Sequence, residues 1–310
     1  MSTEPRRGVI IGRFMPPHAG HRYLIDFASR YVDELYVLVC TLSSELIPGT
    51  LRWEWVSAMF PKARVLHVTE EIPEASRANP GAIQIWADWI RAVTDVDIDY
   101  VFASEDYGWE LAEALAATYV PVDPARSGFP VSASAIRKDP MAYWEYIPTV
   151  VRPFFVQRVA IAEDPAARAL AQQLAERLRT LRVRDYYAYW GGLGKRVGSI
   201  AEIARAQACG EYALAKHANR VLLCESDPLQ NAVRWELAGG EPVEIGHDDL
   251  RDYSLILVSN PRSYGATSAR EFLDAVVSRL NRLNRSYRMI DPDGVDDAES
   301  AVRELMNHHR

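Results

Sequence analysis

Gly12-Arg13-Phe14-Met15-Pro16-Pro17-His18-Ala19-Gly20-His21 is the stretch around which the chain is organised. Val9-Ile10-Ile11 leads into it as an apolar run, and beyond it Leu24, Ile25, Phe27, Ala28, Tyr31 and Val32 recur at helical spacing. The pattern predicts a strand, a turn and a helix. The prolines and glycines of the turn keep it out of regular structure. Its His-x-Gly-His ending puts two imidazoles and free backbone N–H groups at a helix N-terminus, a place that suits a phosphate.

Working outward, Glu34 to Cys40 reads as a second buried strand. Leu51 to Phe60 reads as a helix with Trp53, Val56 and Phe60 on its apolar stripe, and Ala63 to Val68 as a third strand. Glu70 to Gly81, with Pro73, Asn79 and Pro80, is too punctuated for regular structure and is a candidate substrate loop. A helix is expected from Ala82 to Val93, with Ile83, Trp86, Trp89 and Ile90 at helical spacing. Asp99 to Ala103 is a fourth strand, Leu111 to Thr118 a helix and Tyr119 to Val122 a fifth strand. Strands alternating with helices predict a doubly wound parallel sheet. Ligands of such sheets lie at the carboxyl ends of the strands, the edge at which His18, His21, Ser104 and the segment Ser132 to Arg137 fall.

The Gly-x-Phe-x-Pro-x-His-x-Gly-His string after an N-terminal strand resembles the signature of the nucleotidyltransferase superfamily that adenylylates or cytidylylates small phosphates. That superfamily carries a second motif late in the same domain, matched here by Ser132-Ala133-Ser134-Ala135-Ile136-Arg137. The resemblance narrows over Gly8 to Phe14, Asp33 to Cys40, Leu51-Arg52-Trp53, Val131 to Arg137, Tyr143-Trp144, Ile147-Pro148 and Arg152 to Phe155. Together these resemble the NadR-type bifunctional proteins, which join a nicotinamide mononucleotide (NMN) adenylyltransferase to a ribosylnicotinamide kinase.

The resemblance implies a Rossmann-like α/β nucleotidyltransferase domain over residues 1–153, followed by a second α/β domain over 154–310 that resembles a P-loop kinase. It implies ATP and NMN as substrates, with Mg²⁺ carried by the triphosphate and no dedicated protein ligands for the metal. His18, His21 and Arg137 are the expected catalytic residues. Gly12, Arg13, Phe14, Gly20, Ser104, Ser132, Ser134 and Ile136 are expected on ATP, and Trp86 on the nicotinamide ring.

The chemistry fits those residue types. Nucleotidyl transfer needs positive groups and N–H donors around three phosphates held in line with an attacking phosphate. The nucleophile needs no general base, because a phosphate monoester with a second pKa of about 6 is mostly dianionic at neutral pH.

The rest of the chain constrains partners. With 310 residues, 48% hydrophobic and 25% charged, two ordinary globular domains are expected. A formal charge of −7 with no basic run argues against a nucleic-acid partner. No stretch approaches a membrane span, no apolar signal core follows Met1 to Arg7, and the first strand near residue 8 leaves no room ahead of it for a helix-turn-helix. Cys40, Cys209 and Cys224 read as buried thiols of a reducing compartment, so a cytoplasmic location is expected. Self-association is compatible with all of this.

In the second half, strands are expected at Arg158 to Ile161, Arg220 to Cys224, Leu255 to Val258 and Tyr287 to Ile290. A helix from Pro140 to Ile147 is expected to close the first domain, with Pro148 to Pro153 as the linker, and helices of the second are expected at Ala166 to Leu181, Ser199 to His217, Ala269 to Leu283 and Ala298 to Met306. Related kinases follow their first strand with Gly-x-x-x-x-Gly-Lys-Ser. Here Ala162-Glu163-Asp164-Pro165-Ala166-Ala167-Arg168-Ala169 stands instead, without glycine or lysine and with two carboxylates that would repel a phosphate. Gly191-Gly192-Leu193-Gly194-Lys195 does not replace it, since no apolar strand precedes it and Arg196 stands where Ser or Thr is needed. Asp227 matches the place of a functional aspartate in the related kinases, yet one carboxylate does not restore a phosphate site. The second domain is therefore expected to lack kinase activity. Two alternatives stay open: another phosphate acceptor or CTP in place of ATP, and a non-catalytic nucleotide-sensing regulator.

Overall fold

The computed structural model describes residues 4–42, 44–70, 81–163, 169–192, 198–260, 267–291 and 293–307. The chain divides into two compact units, Met1–Val151 and Arg152–Arg310. Most of the candidate substrate loop, 71–80, lies outside the described residues, as do 164–168 and 193–197.

The first unit runs β1 (Arg7–Gly12), α1 (Ala19–Tyr31), β2 (Glu34–Cys40), α2 (Gly49–Met59), β3 (Arg64–Val68), α3 (Gly81–Thr94), β4 (Tyr100–Ala103), α4 (Tyr107–Leu115), β5 (Thr118–Pro121) and α5 (Ala133–Lys138). Its five strands are parallel in the order β3-β2-β1-β4-β5. The strands read as continuous apolar runs because both sheet faces are covered. The period of two divides them: Val9, Tyr36, Leu38 and Val101 join Trp86, Ile90 and Leu111 on one face. Ile10, Val37, Val39 and Phe102 join Leu24, Ile25, Ala28 and Val56 on the other. The order reverses between β1 and β4, so the crevice at their carboxyl ends is the topological switch point.

The second unit holds α6 (Arg152–Phe155), β6 (Gln157–Ala162), α7 (Ala169–Leu178), β7 (Leu181–Val183), α8 (Tyr186–Gly192), α9 (Ile200–Ala215), β8 (Val221–Cys224), α10 (Pro228–Leu237), β9 (Tyr253–Ser259), α11 (Thr267–Arg282), β10 (Arg288–Ile290) and α12 (Val295–Asn307). Its strands are also parallel, in the order β10-β9-β6-β8-β7. Val159, Ile161, Leu223 and Leu257 pack against Leu170 and Leu174 of α7 and Ala298 and Val302 of α12.

Several elements differ from the sequence reading. Trp53 stands on the outer side of α2, 36% exposed, while Arg52 and Trp55 are buried in its place. The Trp53 indole N–H donates to the Val65 carbonyl at 3.1 Å and its ring lies over His67. Only a 3₁₀ turn, Trp144–Tyr146, occupies the helix expected from Pro140 to Ile147. α6, β7, α8 and α10 are additional elements. The helix expected to reach Leu181 stops at Leu178 because Arg179 turns left-handed (φ +50°), which frees Leu181–Val183 to pair with β8. Cys209 is exposed on α9, contrary to the expected burial, and all three cysteines are free. Among the described residues no helix is long and apolar enough to cross a membrane.

Candidate functional site

After β1 the chain leaves regular structure at once. Phe14 takes a left-handed backbone (φ +50°), uncommon for a bulky residue, and buries its ring beneath the turn. The Met15–Pro16 peptide bond is cis. His18 then becomes the N-cap of α1. Its Nδ1 accepts the Gly20 N–H at 3.2 Å, and the Nδ1 of His21 accepts the His18 N–H at 3.3 Å. This is a reciprocal capping box made by two imidazoles. Their ring centroids are 3.7 Å apart, with Phe14 4.9 Å from His21.

The caps fix the chemistry of both rings. An Nδ1 that accepts a backbone N–H carries no proton, so each neutral ring holds its proton on Nε2 and presents it as a donor. Burial pushes the pKa of His18 down to about 4, with the charge of Arg126 adding to the effect. Burial, the neighbouring His18 and Arg126 hold His21 well below the ordinary value. Both imidazoles are neutral at pH 7 in the free protein.

This has a consequence for stability. An unfolded histidine takes up its proton near pH 6.5, whereas folded His18 resists it to about pH 4. Its contribution is thus complete above the unfolded pKa and is lost as pH falls through the folded one. The difference corresponds to about 3 kcal/mol. We expect His18→Asn, which keeps a cap acceptor, to flatten the fall in melting temperature between pH 6.5 and 4; an unchanged slope would contradict this ionisation.

The second motif closes the other side. Ser132 caps α5, its Oγ accepting the Ala135 N–H at 3.1 Å and sharing a hydrogen bond with Ser134 Oγ at 3.0 Å. The Arg137 guanidinium donates to the Met15 carbonyl, tying the two motifs together across 122 residues of sequence. Ser104, at the end of β4, donates to the Val122 carbonyl at 2.6 Å.

These residues line one cavity of about 570 Å³ at the switch point, within the usual range for small-molecule sites. Gly12, Arg13, Phe14, His18, Gly20, His21, Trp86, Ser104, Ser132, Ser134 and Arg137 all reach it. Ile136 does not: its side chain is fully buried in the core, which leaves only its backbone for any ligand. Trp86 is 7% exposed and belongs mainly to the core of the α3 face, so only part of its ring is presented.

The structure adds residues that the sequence reading did not select. Tyr107, Glu105, Asp123, Arg126 and Phe129 also line the cavity. Beneath it lies Arg52, with no exposed surface, donating to the carbonyls of Ile47 and Cys40 at 3.0 Å each, to the Arg13 carbonyl and to Glu45. Arg52 stood within a matched string, Leu51-Arg52-Trp53, but an arginine on a helix reads as a surface residue.

At the corresponding edge of the second sheet the polar groups are tied to one another. Glu163 follows β6 and is 4% exposed. Its two oxygens accept the N–H groups of Leu170 and Ala171, at 3.2 and 3.4 Å, in the first turn of α7. Asp227 caps α10, one oxygen accepting the Gln230 backbone N–H and the other the Gln230 side chain, both at 2.8 Å. Burial raises its pKa, against the opposing pull of those hydrogen bonds. Arg234 pairs with Asp185 and donates to Ser226 Oγ at 3.2 Å. The glycine-rich stretch after Trp190 is only partly described, since 193–195 fall outside the described residues.

No family model matches the chain. It is 28% identical to the trifunctional NAD biosynthesis/regulator protein NadR of Escherichia coli K12, over an alignment of 346 residues covering 98% of this chain and 84% of the relative. Against the protein of the same description from Salmonella typhimurium LT2 it is 30% identical over 326 residues, covering 94% of this chain and 79% of the relative. The fold matches a crystallised NadR protein in complex with NAD and AMP-PNP, with a TM-score of 0.73 at 18% identity, covering 98% of this chain and 96% of that one. A NadR protein in complex with NR matches with a TM-score of 0.74 at 16% identity, covering 97% and 96%.

Proposed function

The chain belongs to the NadR family, and from that membership we propose that it is a nicotinamide-nucleotide adenylyltransferase, transferring AMP from ATP to NMN to give NAD and pyrophosphate. The observation that carries the assignment is the meeting of the two motifs in one cavity, with Arg137 donating to the carbonyl of Met15 in the turn that leads to His18 and His21.

The NMN phosphate attacks the α-phosphorus of ATP in line with the departing pyrophosphate. Both are phosphate oxygens, so the protein's task is alignment and charge stabilisation. Correct orientation can contribute about 7–11 kcal/mol. We assign the Nε2–H donors of His18 and His21 to the triphosphate, His21 at the α-phosphate, where charge shifts during transfer. Gly12, Arg13 and Gly20 let the nucleotide approach the backbone. Ser132, Ser134 and Arg137 hold the β- and γ-phosphates, the guanidinium forking onto oxygens. Phe14 supports His21, Ser104 and the Ile136 backbone serve the adenylate side, and Trp86 offers the exposed part of its ring for stacking on the nicotinamide.

Mg²⁺ would enter this site with the triphosphate, supplying positive charge against the phosphates, and would need no carboxylate dedicated to it. Two of the acidic cavity residues are engaged in the free protein: Asp123 accepts the N–H groups of Ser127 and Gly128 at 2.8 and 3.0 Å, and Glu105 pairs with Arg126. Use of ATP and NMN fits a cytoplasmic location, and the net charge of −7 suits small-molecule rather than nucleic-acid partners.

For the second unit we propose loss of kinase activity. Glu163 holds its carboxylate on the N–H groups at the start of α7, the place where an anionic phosphate would need to sit. Purified protein given nicotinamide riboside and ATP is expected to form no NMN; phosphorylation of the riboside would refute this. An acceptor and nucleotide panel tests the first unit: NMN with ATP is expected to be preferred at least a hundredfold over phosphopantetheine or CTP, and equal use of another acceptor would overturn the substrate assignment.

A further inference from the structure

Between β5 and α5 the chain forms a short loop that lies against the first turn of α1. A Cβ added to Gly20 would stand 3.9 Å from Phe129 Cβ, and the rings of Tyr23 and Phe129 are 5.8 Å apart. Asp123 (φ +46°) and Arg126 (φ +52°) both take left-handed backbone there. The Asp123 carboxylate accepts the next N–H groups, Ser127 and Gly128, and its carbonyl accepts the Arg126 N–H at 2.9 Å. The turn is therefore held, and Cα of Arg126 is held with it.

The side chain is not held so firmly. Arg126 lines the cavity and pairs with Glu105, across the mouth at the end of β4, at 3.3 Å. The partners are 48% and 63% exposed, and ion pairs so open to solvent contribute little. A triphosphate offers several negative charges and planar pairs of oxygens, the geometry a guanidinium fork matches best. The charge of Arg126 is already near enough to lower the pKa values of both His18 and His21.

We propose that Arg126 is a third phosphate-binding cation of this site, parked on Glu105 in the free protein and transferred to the triphosphate when ATP enters. This rests on the adenylyltransferase reading for its reaction but not for its binding step. Glu105 is then a restraint whose removal frees the arginine. Arg137 keeps its place on the Met15 carbonyl, so the two arginines approach the phosphates from different segments.

Calorimetric titration of ATP and of inorganic tripolyphosphate, without acceptor, tests the binding step on wild type, Arg126→Gln, Glu105→Gln and the double variant. Gln tolerates either exposed position; it removes the charge and the guanidinium fork at Arg126, and the charge alone at Glu105. Arg126→Gln is expected to weaken both ligands at least tenfold and to lower kcat/KM for ATP by as much, with KM for NMN changed less than twofold. Glu105→Gln is expected to tighten both ligands two- to fivefold, and the double variant to match Arg126→Gln. Binding by Arg126→Gln within twofold of wild type would overturn the proposal, as would weakening by Glu105→Gln equal to that of Arg126→Gln, which would mark the pair as structural. Wild type that binds ATP yet forms no NAD would remove the acceptor assignment while leaving the Arg126 result readable.

Discussion

Replacing His21 by alanine is expected to lower kcat for NAD formation about a hundredfold to a thousandfold, the usual cost of deleting one preorganised donor aimed at developing charge. The imidazole serves two purposes. Its Nδ1 accepts the His18 N–H, and its Nε2–H points to the ligand side by elimination. Alanine removes both, and loss of the cap alone costs about 1 kcal/mol. His21→Gln separates them, because a glutamine at the third helical position can still reach back to the N-cap N–H. Steady-state kinetics beside thermal melts should show both variants deeply impaired in kcat, with the Gln variant melting within a few degrees of wild type. Near-normal turnover in either would remove His21 from the reaction.

Arg52 carries the largest expected effect on stability. It has no exposed surface, yet its guanidinium binds the carbonyls of Arg13, Cys40 and Ile47 and the buried carboxylate of Glu45. Arg13 also approaches Glu45, at 3.6 Å, but from the exposed side. Arg52→Met keeps the volume of the stem and leaves one carboxylate and three carbonyls short of their donor. Breaking a buried pair in this way costs about 3–5 kcal/mol, or about 10 °C in the melting temperature of a unit of this size. Differential scanning calorimetry should show that loss, with partial recovery on adding Glu45→Gln because the stranded charge is then gone. A drop under about 2 °C would mean that the network is not what holds the turn after β1.

The elements around the first motif were legible in the sequence because strand and helix periods there are undisturbed: β2 runs from Glu34 to Cys40 as read, and β1 and α1 flank the turn as expected. The second sheet was harder. β7 has three residues and follows a helix whose apolar spacing continues through it; only the left-handed turn at Arg179 separates them. α10 did leave a signal, Asp227 followed by Pro228, a cap and a first-turn proline, but the Asp was read for chemistry. In the site, residues inside motifs could be found by spacing. Arg126, Glu105 and Arg52 could not, because what gives them meaning is a partner remote in sequence or a burial that charge alone argues against.

ATP labelled in its α-phosphate tests the transfer of an adenylyl group to NMN directly. Incubated with Mg²⁺ and NMN, the protein is expected to move the label into NAD, with one pyrophosphate released for each NAD formed. Label that stays in ATP, or that leaves as AMP or ADP without entering NAD, would contradict it.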